Sequence, residues 1–298
     1  MGSMKKIKKL REKTGAGVLD CKKALSETDG NVEEAVDYLR EKGISDAAKK
    51  SDRVAAEGLV NVMINDKRDK GLVVEINSET DFVAKNEKFK NLVSEMSNHI
   101  MDSDKKDIDS LLEEKWYDDD SKDVSTILKE AIASIGENIN LRRFEKYKTD
   151  EFLHGYVHMN GKIGVLVEFA GEDTEENIKK ANNVAMHIAA KAPEYISKEE
   201  VSDEVIEKEK KIYKEQMLNQ GKPEHIIDNI VEGKINKYFT QICLVDQEYV
   251  RDTDITVGEL LDEANLEVKR FERYELGEGI ETEEEDFVSE VRAEVEKN

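Results

Sequence analysis

The chain has 298 residues, 68 acidic against 46 basic side chains, a formal charge of −22, and no apolar run near the roughly 18 residues a membrane helix needs. That charge argues against general nucleic-acid binding, which requires clustered Lys and Arg, and Cys21 and Cys243 lack the Cys-x-x-Cys partners of a zinc site or disulfide framework. The length suits two or three domains, no secretory signal pattern follows the Lys-rich start, and a cytoplasmic location is expected.

Met1, Gly2 and Ser3 ahead of Met4 read as an added leader and are set aside. Lys5 to Lys13 reads as a short helix with Ile7 and Leu10 facing inward, and Thr14-Gly15-Ala16-Gly17 breaks it. No Gly-x-x-x-x-Gly-Lys-Ser/Thr pattern is present and no strand precedes, so this is not a phosphate loop. A second helix runs through Val18, Leu19, Cys21, Ala24 and Leu25. Asp29-Gly30-Asn31 turns the chain, and Asn31 with Glu34 resembles a capping pair opening a third helix through Val32, Ala35, Val36 and Leu39. Residues 4–43 therefore predict a small three-helix bundle, and 44–57 a helical or extended linker. Residues 1–53 carry 13 basic and 10 acidic side chains, which leaves −25 on the other 245. Such a surface is either simply solvated or suited to a partner with basic patches.

Beyond the linker the pattern changes to strands. Gly58 to Ile64 alternates, Asp66 to Lys70 turns, and Leu72 to Ile76 pairs back as a hairpin. Asn77-Ser-Glu-Thr-Asp-Phe-Val-Ala-Lys-Asn86 then hands over to a helix through Phe89, Leu92, Val93 and Met96. Ser78 and Thr80 can each accept a hydrogen bond from the first helical turn, and Asp81 suits the positive end of the helix dipole. Phe82 admits two accounts: a hydrophobic staple under the helix start, or an aromatic wedge offered to a partner. An acidic stretch from Asp102 to Asp123 follows, then a helix through Val124, Ile127, Leu128, Ala131 and Ile135, and a strand from Ile139 to Tyr147.

The next segment repeats the plan. His154 to Met159, a turn at Asn160-Gly161, and Lys162 to Phe169 make a second hairpin, followed by a helix through Ile178, Ala181, Val184, Ala185, Ile188 and Ala189. Ala264-Asn-Leu-Glu-Val-Lys-Arg-Phe-Glu-Arg-Tyr274 echoes Asn138-Ile-Asn-Leu-Arg-Arg-Phe-Glu-Lys-Tyr147. Two related α+β subdomains with antiparallel sheets are expected, over 58–148 and 149–276. Gly171-Glu-Asp-Thr174, at the place in the second copy that matches the Phe82 stretch, has no aromatic. A purely structural staple would be expected in both copies, which favours the wedge. Within the second copy Val201, Val205, Lys208 and Ile212, the turn at Asn219 to Pro223, and Ile227, Ile230, Val231, Ile235, Tyr238 and Ile242 predict an antiparallel coiled-coil hairpin inserted at about 197–242. Over 277–298, Gly277-Glu-Gly-Ile280 loosens the chain. Phe287, Val288, Val291 and Val295 then predict a final amphipathic helix, docked on its own core or on a partner.

Four motifs fall in one order: Leu10-Arg-Glu-Lys-Thr-Gly-Ala-Gly-Val-Leu-Asp-Cys-Lys-Lys-Ala-Leu25, Thr80-Asp-Phe-Val-Ala-Lys-Asn86, Ile135-Gly-Glu-Asn-Ile-Asn-Leu-Arg-Arg143 and Gly277-Glu-Gly-Ile280. Together they make the chain similar to bacterial translation elongation factor Ts over nearly its whole length. The resemblance implies a guanine nucleotide exchange factor for elongation factor Tu, with no cofactor and no covalent chemistry. It implies a ubiquitin-associated-like N-terminal domain, a two-subdomain core, a coiled-coil hairpin and a C-terminal helical module. By the same resemblance Thr80, Asp81, Phe82 and Val83 form the segment that enters the GTPase domain and displaces magnesium. Arg11, Val18 and Leu19 would touch the nucleotide domain, and His158 a different domain of the partner. The family often has Met where Val18 and Leu19 stand, a change that keeps the contact apolar.

Two other classes fare less well. His154 and His158 lie four residues apart on a strand without a third ligand, and His187 and His225 lack an acidic or Cys signature, so an enzyme has no constellation to use. No catalytic residue or metal ligand is expected. An adaptor working through the basic bundle leaves the duplicated core without a role. Deletion of residues 4–53 separates these readings: an adaptor loses all binding, whereas an exchange factor keeps its core contacts and binds more weakly.

Overall fold

The computed structural model describes residues 3–14 and 16–281. The helix expected from Phe287, Val288, Val291 and Val295 lies outside the described residues, as does Gly15. Helices α1 (Ser3–Thr14), α2 (Val18–Glu27) and α3 (Val32–Ala48) pack around Ile7, Leu10, Cys21, Ala24, Leu25 and Ala35. The Asn31 side chain caps α3, accepting from the Glu33 and Glu34 amides while its own amide donates to the Glu34 carboxylate at 2.6 Å. α3 continues to Ala48, past the boundary expected at residue 43, so the bundle's last helix itself carries the chain toward the core.

The first half of the core contains β1 (Glu57–Ile64), β2 (Lys70–Ser78), α4 (Asp81–Ala84), α5 (Glu87–Asp102), α6 (Ile108–Leu112), β3 (Lys115–Trp116), β4 (Asp119–Asp123), α7 (Val124–Ile135) and β5 (Ile139–Lys148). The second contains β6 (Phe152–His158), β7 (Ile163–Ala170), α8 (Glu175–Lys191), α9 (Asp203–Asn219), α10 (Glu224–Ile242), β8 (Glu248–Tyr249), β9 (Asp252–Thr256), α11 (Val257–Ala264) and β10 (Glu267–Glu275). The class is α+β, with antiparallel three-stranded sheets ordered β1-β2-β5 and β10-β7-β6.

Alternation along the strands explains the layering. Leu72, Val74 and Ile76 of β2 point to α5 and α7, where Phe89, Leu92, Met96, Leu128 and Ile132 cover them. Val73 points the other way and meets Leu153, Leu166 and Tyr274 of the second half. The two sheets thus pack back to back with helices on their outer faces, and β2 is buried on both sides along most of its length. Glycines permit the close approach: a Cβ on Gly164 would sit 2.5 Å from Val60 and 2.9 Å from Val62. Gly164→Ala is expected to destabilise the protein by about 1–3 kcal/mol through overpacking, read as a lower urea midpoint at unchanged m-value.

The internal repeat extends to side chains. Glu75 of β2 pairs with Arg143 of β5 at 2.6 Å, and Glu168 of β7 with Arg270 of β10 at 2.5 Å. Each arginine then lies over a tyrosine of the other half: Arg143 is 4.2 Å from the Tyr274 ring centre, and Arg270 is 3.9 Å from Tyr147. The acidic stretch from Asp102 to Asp123 holds α6, β3 and β4, which its polar composition conceals. The β3–β4 hairpin has its counterpart in β8–β9. Trp116 stacks on His99 with ring centres 4.8 Å apart, and Tyr249 lies against His187 at 6.1 Å.

α9 and α10 pack against each other through Met217, Ile227, Val231, Ile235 and Phe239. Val201, expected on the first helix, lies before α9 but still belongs to this cluster. Pro223 begins the return, and Gly221 turns the chain at φ +73°.

Candidate partner-binding site

β2 ends at Ser78, and the chain turns at Thr80 into the single turn α4. Thr80 has extended backbone angles, φ −129° and ψ 155°, and its hydroxyl accepts from the Val83 amide at 3.4 Å. Ser78 does not share this capping role. Its hydroxyl donates to the Thr80 carbonyl at 3.1 Å, because Ser78 still belongs to the strand and is fully buried. The helix through Phe89 is a separate element: Asn86 restarts the chain by accepting from the Lys88 amide at 2.9 Å.

This one-turn helix sorts its side chains sharply. Val83 is 8% exposed and joins the core beside Phe89, while Phe82 is 81% exposed. Phe82 is therefore no staple. The Lys85 ammonium lies 6.0 Å from its ring centre. Lys85 also donates to Asp81 at 2.6 Å and holds that carboxyl below its ordinary range, with Lys162 adding a smaller pull. Asp81 thus stays ionised at neutral pH. Val83, expected as a partner contact, packs in the core cluster and roots α4 there.

Two loops meet beneath α4. The Glu137 carboxylate accepts from the Thr80 amide at 3.0 Å and from the Thr80 hydroxyl at 2.7 Å. In return the Glu79 carboxylate accepts from the Asn138 amide at 2.6 Å, and Arg53 donates to it at 3.3 Å. The Asn138 side chain reaches the Arg53 carbonyl at 2.8 Å. Gly136, at φ +96°, ends α7 in the left-handed conformation and lets Glu137 turn toward Thr80. The sequence motif from Ile135 to Arg143 carried no role on its own. In space it grips the base of the Phe82 turn.

Other expected contacts lie on two further surfaces. Val18 and Leu19 occupy the first turn of α2, 50% and 79% exposed, because Cys21, Ala24 and Leu25 take its inner face. Arg11 is exposed near the end of α1. His158 ends β6 half-buried, with its Nδ1 2.9 Å from the Tyr156 hydroxyl and the rings stacked. The hairpin after it spans four residues, 159–162, rather than the two of a tight Asn-Gly turn; Met159, Asn160 and Gly161 all have positive φ. The Gly161 carbonyl accepts from the Val60 amide at 2.8 Å, so the tip is tied to β1, the same strand on which α4 packs. Phe82 and the His158 hairpin accordingly share a scaffold.

A cleft of about 450 Å³ separates the bundle from α7, and ion pairs line it. Arg40 meets Glu130 at 3.3 Å, Lys122 meets Glu130 at 2.7 Å, and Lys42 meets Asp20 at 2.7 Å. Of these, the Arg40–Glu130 pair joins the bundle to α7 across the cleft. Among the described residues no group of three or more His, Cys, Asp or Glu side chains is placed to hold a metal ion, and no helix is long and apolar enough to cross a membrane.

The profile of the Elongation factor TS family matches residues 79–278, a span that opens at the Phe82 turn and closes at the segment held by Arg142 and Arg143. The chain is also 64% identical over 295 residues to elongation factor Ts of Halothermothrix orenii (strain H 168 / OCM 544 / DSM 9562), covering 99% of both chains. The chain belongs to the elongation factor Ts family, and its role is in translation elongation.

Proposed function

We propose that this chain is the nucleotide exchange factor of elongation factor Tu, and that it promotes GDP release by displacing magnesium and loosening the phosphate contacts. Bound GDP is held by its phosphates and by the metal ion that bridges them. A protein that binds the GTPase better once those contacts are loosened must, by linkage, weaken nucleotide binding by the same factor. Binding of this kind needs no acid, base or nucleophile.

The observation that carries the reading is Phe82, 81% exposed on a capped turn whose next residue, Val83, is rooted in the core. An aromatic held clear of its own fold by a rigid base matches an interface hot spot, with the side chain already out of the core and little ordering left to do on binding. Asp81 presents a negative charge beside it. Arg11, Val18 and Leu19 add a second contact from the bundle, read as a ubiquitin-associated-like domain, and His158 a third from the other hairpin. Tyr156 holds the His158 ring in place for that contact. The α9–α10 hairpin, as a coiled coil, and the C-terminal module extend the grip.

Elongation factor Tu loaded with fluorescent GDP tests the proposal directly. Micromolar addition of this protein with excess unlabelled GDP is expected to accelerate loss of the signal. A release rate that stays at the intrinsic value would refute the proposed function.

A further inference from the structure

We infer that Glu137 is a positioning residue for exchange: its carboxylate, gripping Thr80 by amide and hydroxyl together, aims the turn that presents Phe82. The inference rests on the exchange reading above and adds to it a residue that need not touch the partner. Thr80 caps a helix of only four residues, Asp81–Ala84, too short to hold its own direction. Its geometry is set from outside, by Glu137 at 3.0 Å and 2.7 Å. Because the two bonds run from the backbone and side chain of one residue to the two oxygens of one carboxylate, they fix the rotation of Thr80 as well as its place.

The grip is reciprocal. Glu79, the residue before Thr80, accepts from the amide of Asn138, the residue after Glu137, at 2.6 Å. Arg53 braces Glu79, and Asn138 returns a bond to the Arg53 carbonyl. Three segments distant in sequence are cross-linked at the root of α4: the residues following α3, the end of β2, and the loop after α7. Part of the load that Phe82 meets on entering a partner is thereby passed to α7 and β5. At 137 the carboxylate accepts from both partners, amide and hydroxyl, with its full charge. A glutamine keeps one acceptor for the amide, but its NH₂ can meet the hydroxyl only if the hydroxyl turns to accept, and the charge-assisted bond is lost.

The variant Glu137→Gln tests this with three readouts. At saturating factor its GDP-release rate is expected to fall about tenfold, the size of a lost charge-assisted hydrogen bond, while the half-saturating concentration changes less than about threefold. In a Phe82→Ala background the same substitution should cause no further loss, since it acts through Phe82; additive losses would overturn the inference. Amide hydrogen exchange of the free protein supplies a check without any partner. Residues 80–85 should exchange about tenfold faster in Glu137→Gln, with β2 and α5 unchanged. Unchanged exchange at 80–85, or protection lost throughout the first subdomain, would each overturn it. Should Glu137→Gln not fold, Glu137→Asp draws the carboxylate back from Thr80 by one methylene while leaving the Thr80 cap on Val83 intact, and is held to the same three criteria. If the wild-type protein itself fails to accelerate release, the functional proposal falls. If only the variant behaves as wild type, Glu137 alone loses its role.

Discussion

Phe82→Ala is expected to lower the saturating GDP-release rate roughly 30-fold or more, the kinetic equivalent of the 2 kcal/mol or more lost when a hot-spot aromatic is truncated. The same substitution should leave folding stability within about 0.5 kcal/mol of wild type, because the ring is 81% exposed and supports little of the core. These two measurements separate the accounts open at the sequence level. A staple would lose stability and keep exchange; a wedge does the opposite. Val83→Ala supplies the converse control, since its side chain belongs to the cluster around Phe89 and its loss should appear in the unfolding midpoint. A Phe82→Ala protein that exchanges at the wild-type rate would refute the wedge.

The duplicated core was legible because strands carry their pattern locally. The alternation from Gly58 to Ile64 and the repeated Arg-Phe-Glu before Tyr147 and Tyr274 survive in the chain without help from its partners. The bundle was legible for the same reason. The short α6, β3 and β4 were not, since they draw their stability from Trp116 and Leu111 packing on a distant core rather than from their own acidic residues. The candidate site divides the same way. That Thr80 caps a turn is written in four adjacent residues, whereas the Glu137 grip joins positions 57 residues apart and has no local signature. Comparison of the two copies favoured an outward Phe82, but local pattern could not assign Val83 to the core. The rotation of one helical turn decides that, and it is set by the loop from Gly136 to Asn138.

A second large effect is expected at Glu75, which is fully buried between the two halves. Burial alone would raise its carboxyl. Hydrogen bonds from the Gly277 amide, Asn77, Arg142 and Arg143 outweigh that and hold it below its ordinary value of 4.5, so it stays charged in the fold. Arg143 is correspondingly held above its own ordinary value. Glu75→Gln keeps the shape and removes the charge that both arginines face, at 2.9 Å and 2.6 Å. Breaking a buried pair costs about 3–5 kcal/mol, and the low end applies because the two guanidiniums retain some access to water. The pH dependence has a definite sign. A carboxyl depressed in the folded state contributes its full stability above the unfolded value, and loses it as pH falls through the folded value. The difference in unfolding free energy between wild type and Glu75→Gln should therefore be flat around neutrality and shrink once pH drops below about 4.5. Urea unfolding at a series of pH values measures it; a difference that stays constant into strong acid would show that the charge is not what stabilises the pair. The substitution should barely change the saturating release rate well below the melting temperature, since Glu137, Glu79 and Thr80 are outside its hydrogen bonds. Its structural effect falls instead on the strand end: the glutamine oxygen can still accept from the Gly277 amide, but its NH₂ faces Arg143, which holds the Glu275 carbonyl at 3.0 Å. Loss of that hold should expose the Leu276–Gly277 segment to limited proteolysis while the Phe82 turn stays protected.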